Sequence, residues 1–182
     1  MNAVLTIGHS TRPIEEFITI LQAHQVERLI DVRTVPRSRH NPQYNLTSLP
    51  QALKAAGIQH SHMPGLGGLR KPREDSGNLA WHNASFRGYA DYMQTAEFET
   101  NLETLIESSQ REKVAIMCAE AVHWRCHRSL IADALLARGI GVEHIQSPAK
   151  RQPHKITPFA VIEGTKVTYP FALTPESDPL GG

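Results

Sequence analysis

Short apolar runs alternate with amphipathic helical segments along this chain, and this alternation constrains the fold more than any other feature. The helical segment 14–21 places apolar residues at i, i+3, i+4 and i+7, which is the spacing of one buried helix face. The apolar runs lie at 4–7, 29–32, 114–118 and 142–145. Two strands joined through a helix by short connections normally form a right-handed parallel crossover. The pattern predicts an α/β fold whose mainly parallel sheet carries helices on both faces.

The remaining patterns extend the same plan to a single domain over 1–173, with 174–182 as a flexible tail. We predict further helices over 46–56 and 86–93, a helix with Thr95 as N-cap, and a helix that ends at Gly139. We also predict a strand over 58–63 and a C-terminal β-hairpin formed by 159–162 and 167–169. The segments 64–84, a long loop, and 148–158, rich in Pro, Lys and Arg, have no predicted element.

The composition places the protein in a soluble, cytoplasmic class. The 182 residues are 40% hydrophobic and 20% charged, and no apolar run approaches the length of a membrane span. The N-terminus has no pattern of an export signal. Two cysteines, Cys118 and Cys126, are too few for a disulfide framework, so we expect reduced thiols. A net charge of +1 does not mark a general nucleic-acid binder, and the oligomeric state is left open.

Polar residues follow three of the predicted strands. In open parallel sheets, ligands bind beyond the carboxyl ends of the strands, so these residues form the candidate site. A loop that leads into a helix also offers free N–H groups to an anion, and arginines beside it add charge. We therefore expect a small anionic ligand that carries phosphate or sulfur. The candidate binding residues are Gly8, His9, Ser10, Arg33, Arg39, Arg125 and Arg128.

The candidate catalytic residues include both thiols. A thiol at a helix start beside arginines favours the thiolate, which points to Cys126, and Cys118 at a strand end is the other candidate. His127 is a candidate acid or base, and Glu120 and Asp31 are candidate carboxylates. Structural alternatives stay open for four of these residues: Cys118 or Cys126 as a small buried residue, and Asp31 and Glu120 as partners of neighbouring arginines.

Other classes of function have less support in the sequence. A non-catalytic nucleic-acid or nucleotide-binding module is the main alternative, and it would use cationic residues against phosphates. Those residues are Arg37, Arg39, Arg70, Lys71, Arg73, Lys150 and Arg151. A zinc site from Cys118, His123, Cys126 and His127 does not match the usual ligand spacing, so no metal is expected. Glycine motifs that hold nucleotide phosphates are absent, and no cofactor is expected. A purely structural interaction domain would leave the polar strand ends unexplained.

Four segments taken together resemble the family known as domain of unknown function 488. They are Gly8-His9-Ser10-Thr11, Asp31-Val32-Arg33 with Pro36 and Ser38-Arg39, Pro64-Gly65-Leu66-Gly67-Gly68, and Cys118-Ala119-Glu120 with Cys126-His127-Arg128. The resemblance spans residues 4 to about 146. It implies an α/β fold with these segments at the site, and it implies no particular reaction.

A looser resemblance is to rhodanese-like sulfurtransferases and cysteine phosphatases. It rests on the segment 29–33 and on the order of strand, Cys118, loop and helix. The loop after Cys118 lacks the internal glycine of the rhodanese loop. Six residues also separate Cys118 from Arg125, where the phosphatase loop has five.

Overall fold

A six-stranded sheet forms the centre of the protein. The computed structural model describes residues 2–171. The sheet strands are β1 (Val4–Gly8), β2 (Arg28–Asp31), β3 (Gln59–His62), β4 (Val114–Cys118), β5 (Val142–Ser147) and β6 (Lys150–Pro153). Their order is β3-β2-β4-β1-β5-β6, and all neighbours are parallel except β5 and β6. The prediction of a mainly parallel sheet is confirmed.

Helices cover both faces of the sheet. The helices are α1 (Ile14–Ala23), α2 (Leu49–Ala55), α3 (Ala84–Tyr92), α4 (Ala96–Arg111) and α5 (Arg128–Ala137). One core joins the sheet to α1 and α2, and a second core joins its other face to α3, α4 and α5. Successive residues of β1 alternate between the cores, because strand side chains alternate between faces: Val4 enters one and Leu5 the other. Burial on both faces explains why the central strands β1, β2 and β4 read as nearly continuous apolar runs.

The C-terminal hairpin is also confirmed. It consists of β7 (Val161–Glu163) and β8 (Lys166–Thr168), which pair antiparallel. Three short 3-10 turns interrupt the loops, at Pro42–Tyr44, Pro64–Leu66 and His123–Arg125. None of the helices in 2–171 is both long and apolar enough to cross a membrane. The predicted tail, 174–182, lies outside the described residues.

Two local predictions need correction. The helix predicted from residue 46 begins at Leu49, since a turn occupies the preceding residues. The segment 148–158, for which no element is predicted, contains one: Lys150–Pro153 forms β6, the antiparallel edge strand. Its charged side chains and proline hide its strand character in the sequence, and they are typical of an edge exposed to solvent. The N-cap prediction is confirmed, because the Thr95 hydroxyl accepts a hydrogen bond from the Phe98 amide.

Candidate active site

A cleft of about 730 Å³ lies beyond the carboxyl ends of β2, β4 and β1, three neighbouring strands. It is the position at which ligands bind in open α/β sheets. Eight of the predicted site residues line it: His9, Ser10, Arg33, Cys118, Glu120, Arg125, Cys126 and His127. Gly8, Asp31 and Arg128 are not among the lining residues and support those that are. Arg39 is exposed and does not line the cleft.

Asp31 and Arg33 form a buried ion pair at the end of β2. The Asp31 carboxylate accepts two hydrogen bonds from the Arg33 guanidinium, at 2.9 and 2.7 Å, and a third from the Arg33 amide. Asp31 is fully buried and Arg33 is 8% exposed. The carboxylate thus holds Arg33 in the cleft wall, as the structural alternative for Asp31 predicts.

His9 is held in the neutral form beside this pair. Its ring stacks on Tyr44, with centroids 4.1 Å apart, and its Nδ1 lies 2.7 Å from the Ser10 carbonyl oxygen. Burial and the nearby Arg33 charge lower the pKa of His9 to about 4, against a hydrogen bond to Ser10 that raises it. With Nδ1–H donating to Ser10, the Nε2 lone pair points toward Arg33, 3.4 Å away.

Arg128 is the most unusual charged residue of the site. It is the first residue of α5, but its guanidinium turns inward beneath the cleft and is 1% exposed. Nε donates to Cys118 Sγ at 3.0 Å, one terminal nitrogen donates to the Thr6 hydroxyl and the other to the Glu120 carbonyl oxygen. Burial lowers the pKa of Arg128 to about 10, so it remains a cation at neutral pH.

The sulfur atoms of Cys118 and Cys126 lie close enough together for a disulfide, which departs from the expectation of reduced thiols. Their Cα atoms are 7.4 Å apart. Disulfide-linked residues have Cα atoms about 4.4–6.8 Å apart, so linkage would require the backbone to move. The separation of the Cα atoms therefore favours the reduced thiol pair over the disulfide.

His127 adjoins the second member of the pair. Its Nε2 lies 2.8 Å from the Val32 carbonyl oxygen, which can only accept, so Nε2 carries the proton. Nδ1 is then free to accept from Cys126 Sγ, 3.4 Å away. Burial lowers the pKa of His127 to about 4, so the ring is neutral.

Gly8 explains how the loop after β4 reaches its position. A Cβ built on Gly8 would lie 1.6 Å from the Glu120 carbonyl oxygen, the same oxygen that accepts from Arg128. The side chain of Glu120 is exposed at the cleft. Glu120 therefore supports Arg128 through its backbone carbonyl. The sequence pointed only to its carboxylate.

Residues that the sequence did not single out support or line the cleft. The Tyr44 ring supports His9, and its hydroxyl donates to the Arg12 carbonyl oxygen. Tyr89 lies beside His127, with ring centroids 5.1 Å apart. Leu69 reaches the cleft from the long loop and is 80% exposed. The glycine-rich segment before Leu69 was the one available signal for this part of the wall.

The cations of the nucleic-acid alternative do not form one surface around the cleft. Arg37 lines it. Arg70 stacks on Tyr92, Arg73 pairs with Asp75, and Arg151 lies 3.8 Å from Glu143. Local contacts thus engage three of the seven residues.

The four residues of the zinc site that the sequence disfavours are also divided between two places. Cys118, Cys126 and His127 meet at the cleft, whereas the His123 ring stacks on His144, with centroids 3.6 Å apart. The sequence does not indicate His144 and His154 as neighbours of His123, because 20 or more residues separate each of them from it in the chain.

Comparison with known families identifies the core of this arrangement. Residues 13–135 match the family described as domain of unknown function DUF488. The chain is a member of the DUF488 family. The match includes β2, β4 and both cysteines, while Gly8 and His9 lie just before it. No curated protein and no solved structure matches the chain. The function of this DUF488 protein must therefore be argued from the site itself.

Proposed function

We propose that this DUF488 protein is a thiol-dependent enzyme that acts on a small anionic substrate, with Cys118 as the nucleophile. One observation carries the proposal: the buried Arg128 guanidinium donates to the Cys118 sulfur at 3.0 Å. The sequence favoured Cys126 because Arg128 follows it closely, but the Arg128 side chain reaches Cys118.

The environment of Arg128 favours a thiolate at Cys118. Within residues 2–171, no carboxylate forms an ion pair with Arg128. A buried cation without a counter-charge is strongly unfavourable, so an anion in contact with it is stabilised. The Cys118 sulfur is the contacting atom that can become anionic, since the other partners are a hydroxyl and carbonyl oxygens. The guanidinium and the thiolate would thus neutralise one another.

Cys126 and His127 supply a second proton site beside the nucleophile. The neutral His127 accepts through Nδ1, so Cys126 remains a thiol that can donate to His127 or to the adjacent sulfur. This gives the two cysteines different states: Cys118 as the thiolate and Cys126 as a proton donor.

The mouth of the cleft suits an anion. Arg37 and Arg125 line it and are exposed, whereas Arg33 is already neutralised by Asp31. An incoming phosphate- or sulfur-bearing anion would meet these two arginines before it reaches Cys118. Exposed arginines can form charge-assisted hydrogen bonds to such oxygens, which orients the substrate.

The proposed first step is a displacement. The Cys118 thiolate attacks the phosphorus or the outer sulfur of the substrate, and a bond from Sγ to that atom forms. The bond to the leaving group breaks, and the leaving group takes the electron pair and accepts a proton from Cys126 or solvent. Water would then release phosphate, or an acceptor thiolate would take up the sulfur, and the Cys118 thiolate is regenerated. Such thiol chemistry suits a reducing compartment, and we propose the cytoplasm.

Alkylation kinetics test the nucleophile. We expect iodoacetamide to modify the wild-type protein quickly at neutral pH, with a half-maximal rate below the free-thiol value of about 8.5. Cys118→Ser should abolish the fast phase, and Cys126→Ser should retain it. Arg128→Lys should move the half-maximal rate to higher pH if the guanidinium holds the thiolate. A fast phase lost only in Cys126→Ser would overturn the assignment.

Two substrates distinguish sulfur transfer from phosphoryl transfer, and a binding assay tests the non-catalytic alternative. Thiosulfate with cyanide tests sulfur transfer, and an aryl phosphate tests phosphoryl transfer, each against the Cys118→Ser variant. No turnover of either, together with binding of single-stranded nucleic acid that weakens steeply with salt, would favour the binding module.

A further inference from the structure

A cluster of three histidines lies at the β5–β6 end of the sheet, and none of the three lines the cleft. His144 is on β5, His154 follows β6, and His123 is in the 3-10 turn of the loop that leads from β4 to α5. One ring nitrogen from each lies within 4.8 Å of the others. We propose that His123, His144 and His154 bind a divalent transition metal of the zinc class.

Asp133 prepares His154 as a ligand. The Asp133 carboxylate is fully buried and accepts from His154 Nε2 at 2.7 Å, while the Tyr169 hydroxyl and the Thr157 amide hold it in place. A carboxylate on one ring nitrogen fixes the proton there, so Nδ1 of His154 carries a lone pair. A carboxylate behind a histidine is the usual support of a metal-bound imidazole.

His144 faces that lone pair. Its Nε2 lies 2.8 Å from His154 Nδ1, and its Nδ1 lies 2.5 Å from the Thr6 hydroxyl oxygen. Two ligands on an ion at about 2.0–2.1 Å are roughly 3.3 Å apart, so a small opening admits the metal. The proton of His144 is then on Nδ1, and the Thr6 hydroxyl oxygen accepts a hydrogen bond from it.

His123 completes the set by a side-chain rotation. Its ring lies flat on the His144 ring, with planes 5° apart. Its lone pairs therefore do not point at the position between His144 and His154 that a metal would occupy. Among the described residues, its ring has no hydrogen-bond partner, and it is partly exposed. Rotation therefore breaks no hydrogen bond, and a solvent molecule would fill the fourth position of a tetrahedral site.

The charge balance supports the site. Among the described residues, neither His123 nor His144 has a carboxylate partner that would hold a second proton on the ring, which favours the neutral imidazole that binds metal. The Arg128 cation opposes a dication here, and the Asp133 carboxylate favours it. Three imidazole ligands suit zinc, cobalt, nickel or copper rather than magnesium or calcium. Through His123, the metal would fix the loop that carries Glu120 and Arg125 to the edge of the sheet.

Titration with cobalt tests the proposal, because tetrahedral cobalt has visible d–d bands. After chelator treatment, we expect the full chain to bind one equivalent of Co²⁺, which Zn²⁺ displaces. His123→Ala should weaken binding at least tenfold with an unchanged melting temperature, since its ring is partly exposed. Asp133→Asn should weaken it by about 10–100-fold through loss of the carboxylate support.

Two controls separate this site from others. His40→Ala removes an exposed histidine elsewhere and should leave Co²⁺ binding unchanged. A Cys118→Ser, Cys126→Ser double variant should also bind normally, and the wild-type spectrum should lack a thiolate-to-cobalt charge-transfer band. Absence of stoichiometric binding, binding insensitive to His123→Ala, or a thiolate band lost in the double variant would each overturn the proposal. These readouts do not depend on the proposed activity.

Discussion

Two buried arginines at the cleft illustrate how one residue type serves two purposes. Arg33 has a bidentate carboxylate partner and contributes a rigid, neutral wall. Arg128 has a sulfur, a hydroxyl and carbonyl oxygens as partners, so its charge remains available to an anion. The sequence shows both as arginines near strand ends, and only the contacts distinguish structural support from a charge that acts on the nucleophile.

The Asp31–Arg33 pair leads to a prediction about stability. Asp31→Asn leaves the Arg33 guanidinium buried without a counter-charge, and breaking a buried pair in this way costs about 3–5 kcal/mol. The free energy of unfolding in urea measures it. The matched control is Asp75→Asn, whose ion pair with Arg73 is exposed on both sides and should contribute less than about 1 kcal/mol. Equal losses in the two variants would contradict the structural assignment of Asp31.

At the level of elements, the central strands were predictable because burial on both sheet faces leaves nearly uninterrupted apolar runs. The helices were predictable because their apolar residues recur with helical spacing. The edge strand β6 was not, since its Lys150–Pro153 sequence is that of a loop. The position of the cleft followed from the strand ends, but the inward turn of Arg128 did not. Helix periodicity indicates which face a residue occupies, not which neighbour a long side chain reaches. The histidine cluster could not be predicted either, because tertiary contacts alone unite its segments.

The close approach of β1 to the loop after β4 leads to a second prediction. Gly8→Ala places a methyl group against the Glu120 carbonyl, so the loop must shift and the Arg128 contact to it must lengthen. We expect a loss of about 1–3 kcal/mol in the free energy of unfolding. We also expect slower alkylation of Cys118. Gly77→Ala is the control, since nothing lies within 4 Å of its added Cβ. Unchanged alkylation in Gly8→Ala would show that this contact does not position Arg128.

For the molecule as a whole, charge is spread rather than concentrated. The net charge of +1 comes from 19 basic and 18 acidic residues, and several arginines outside the cleft already have local partners. The histidines are the groups whose ionisation changes most near neutral pH. At the cleft, His9 is buried and His127 is half-buried, and loss of hydration lowers the pKa of both, so both rings are neutral near pH 7. Acidification therefore acts on the site and on global stability together.

The neutral, buried His9 predicts that the free energy of unfolding decreases as the pH falls. Burial, with the Arg33 charge as a further cause, lowers the pKa of His9 from 6.5 to about 4 in the folded state. Between these values the unfolded chain binds a proton that the folded chain does not, so the free energy of unfolding falls as pH falls from 6.5 to 4. His9→Asn keeps a donor for the Ser10 carbonyl and removes the titration. At about 1.4 kcal/mol per pKa unit, this variant should lose about 1–3 kcal/mol less free energy of unfolding than wild type between pH 6.5 and 4.

His40→Asn, at an exposed histidine, is the control and should keep the wild-type dependence of unfolding free energy on pH. Urea unfolding at a series of pH values measures all three proteins. A His9→Asn slope equal to that of wild type would mean that His9 is not held neutral in the folded protein.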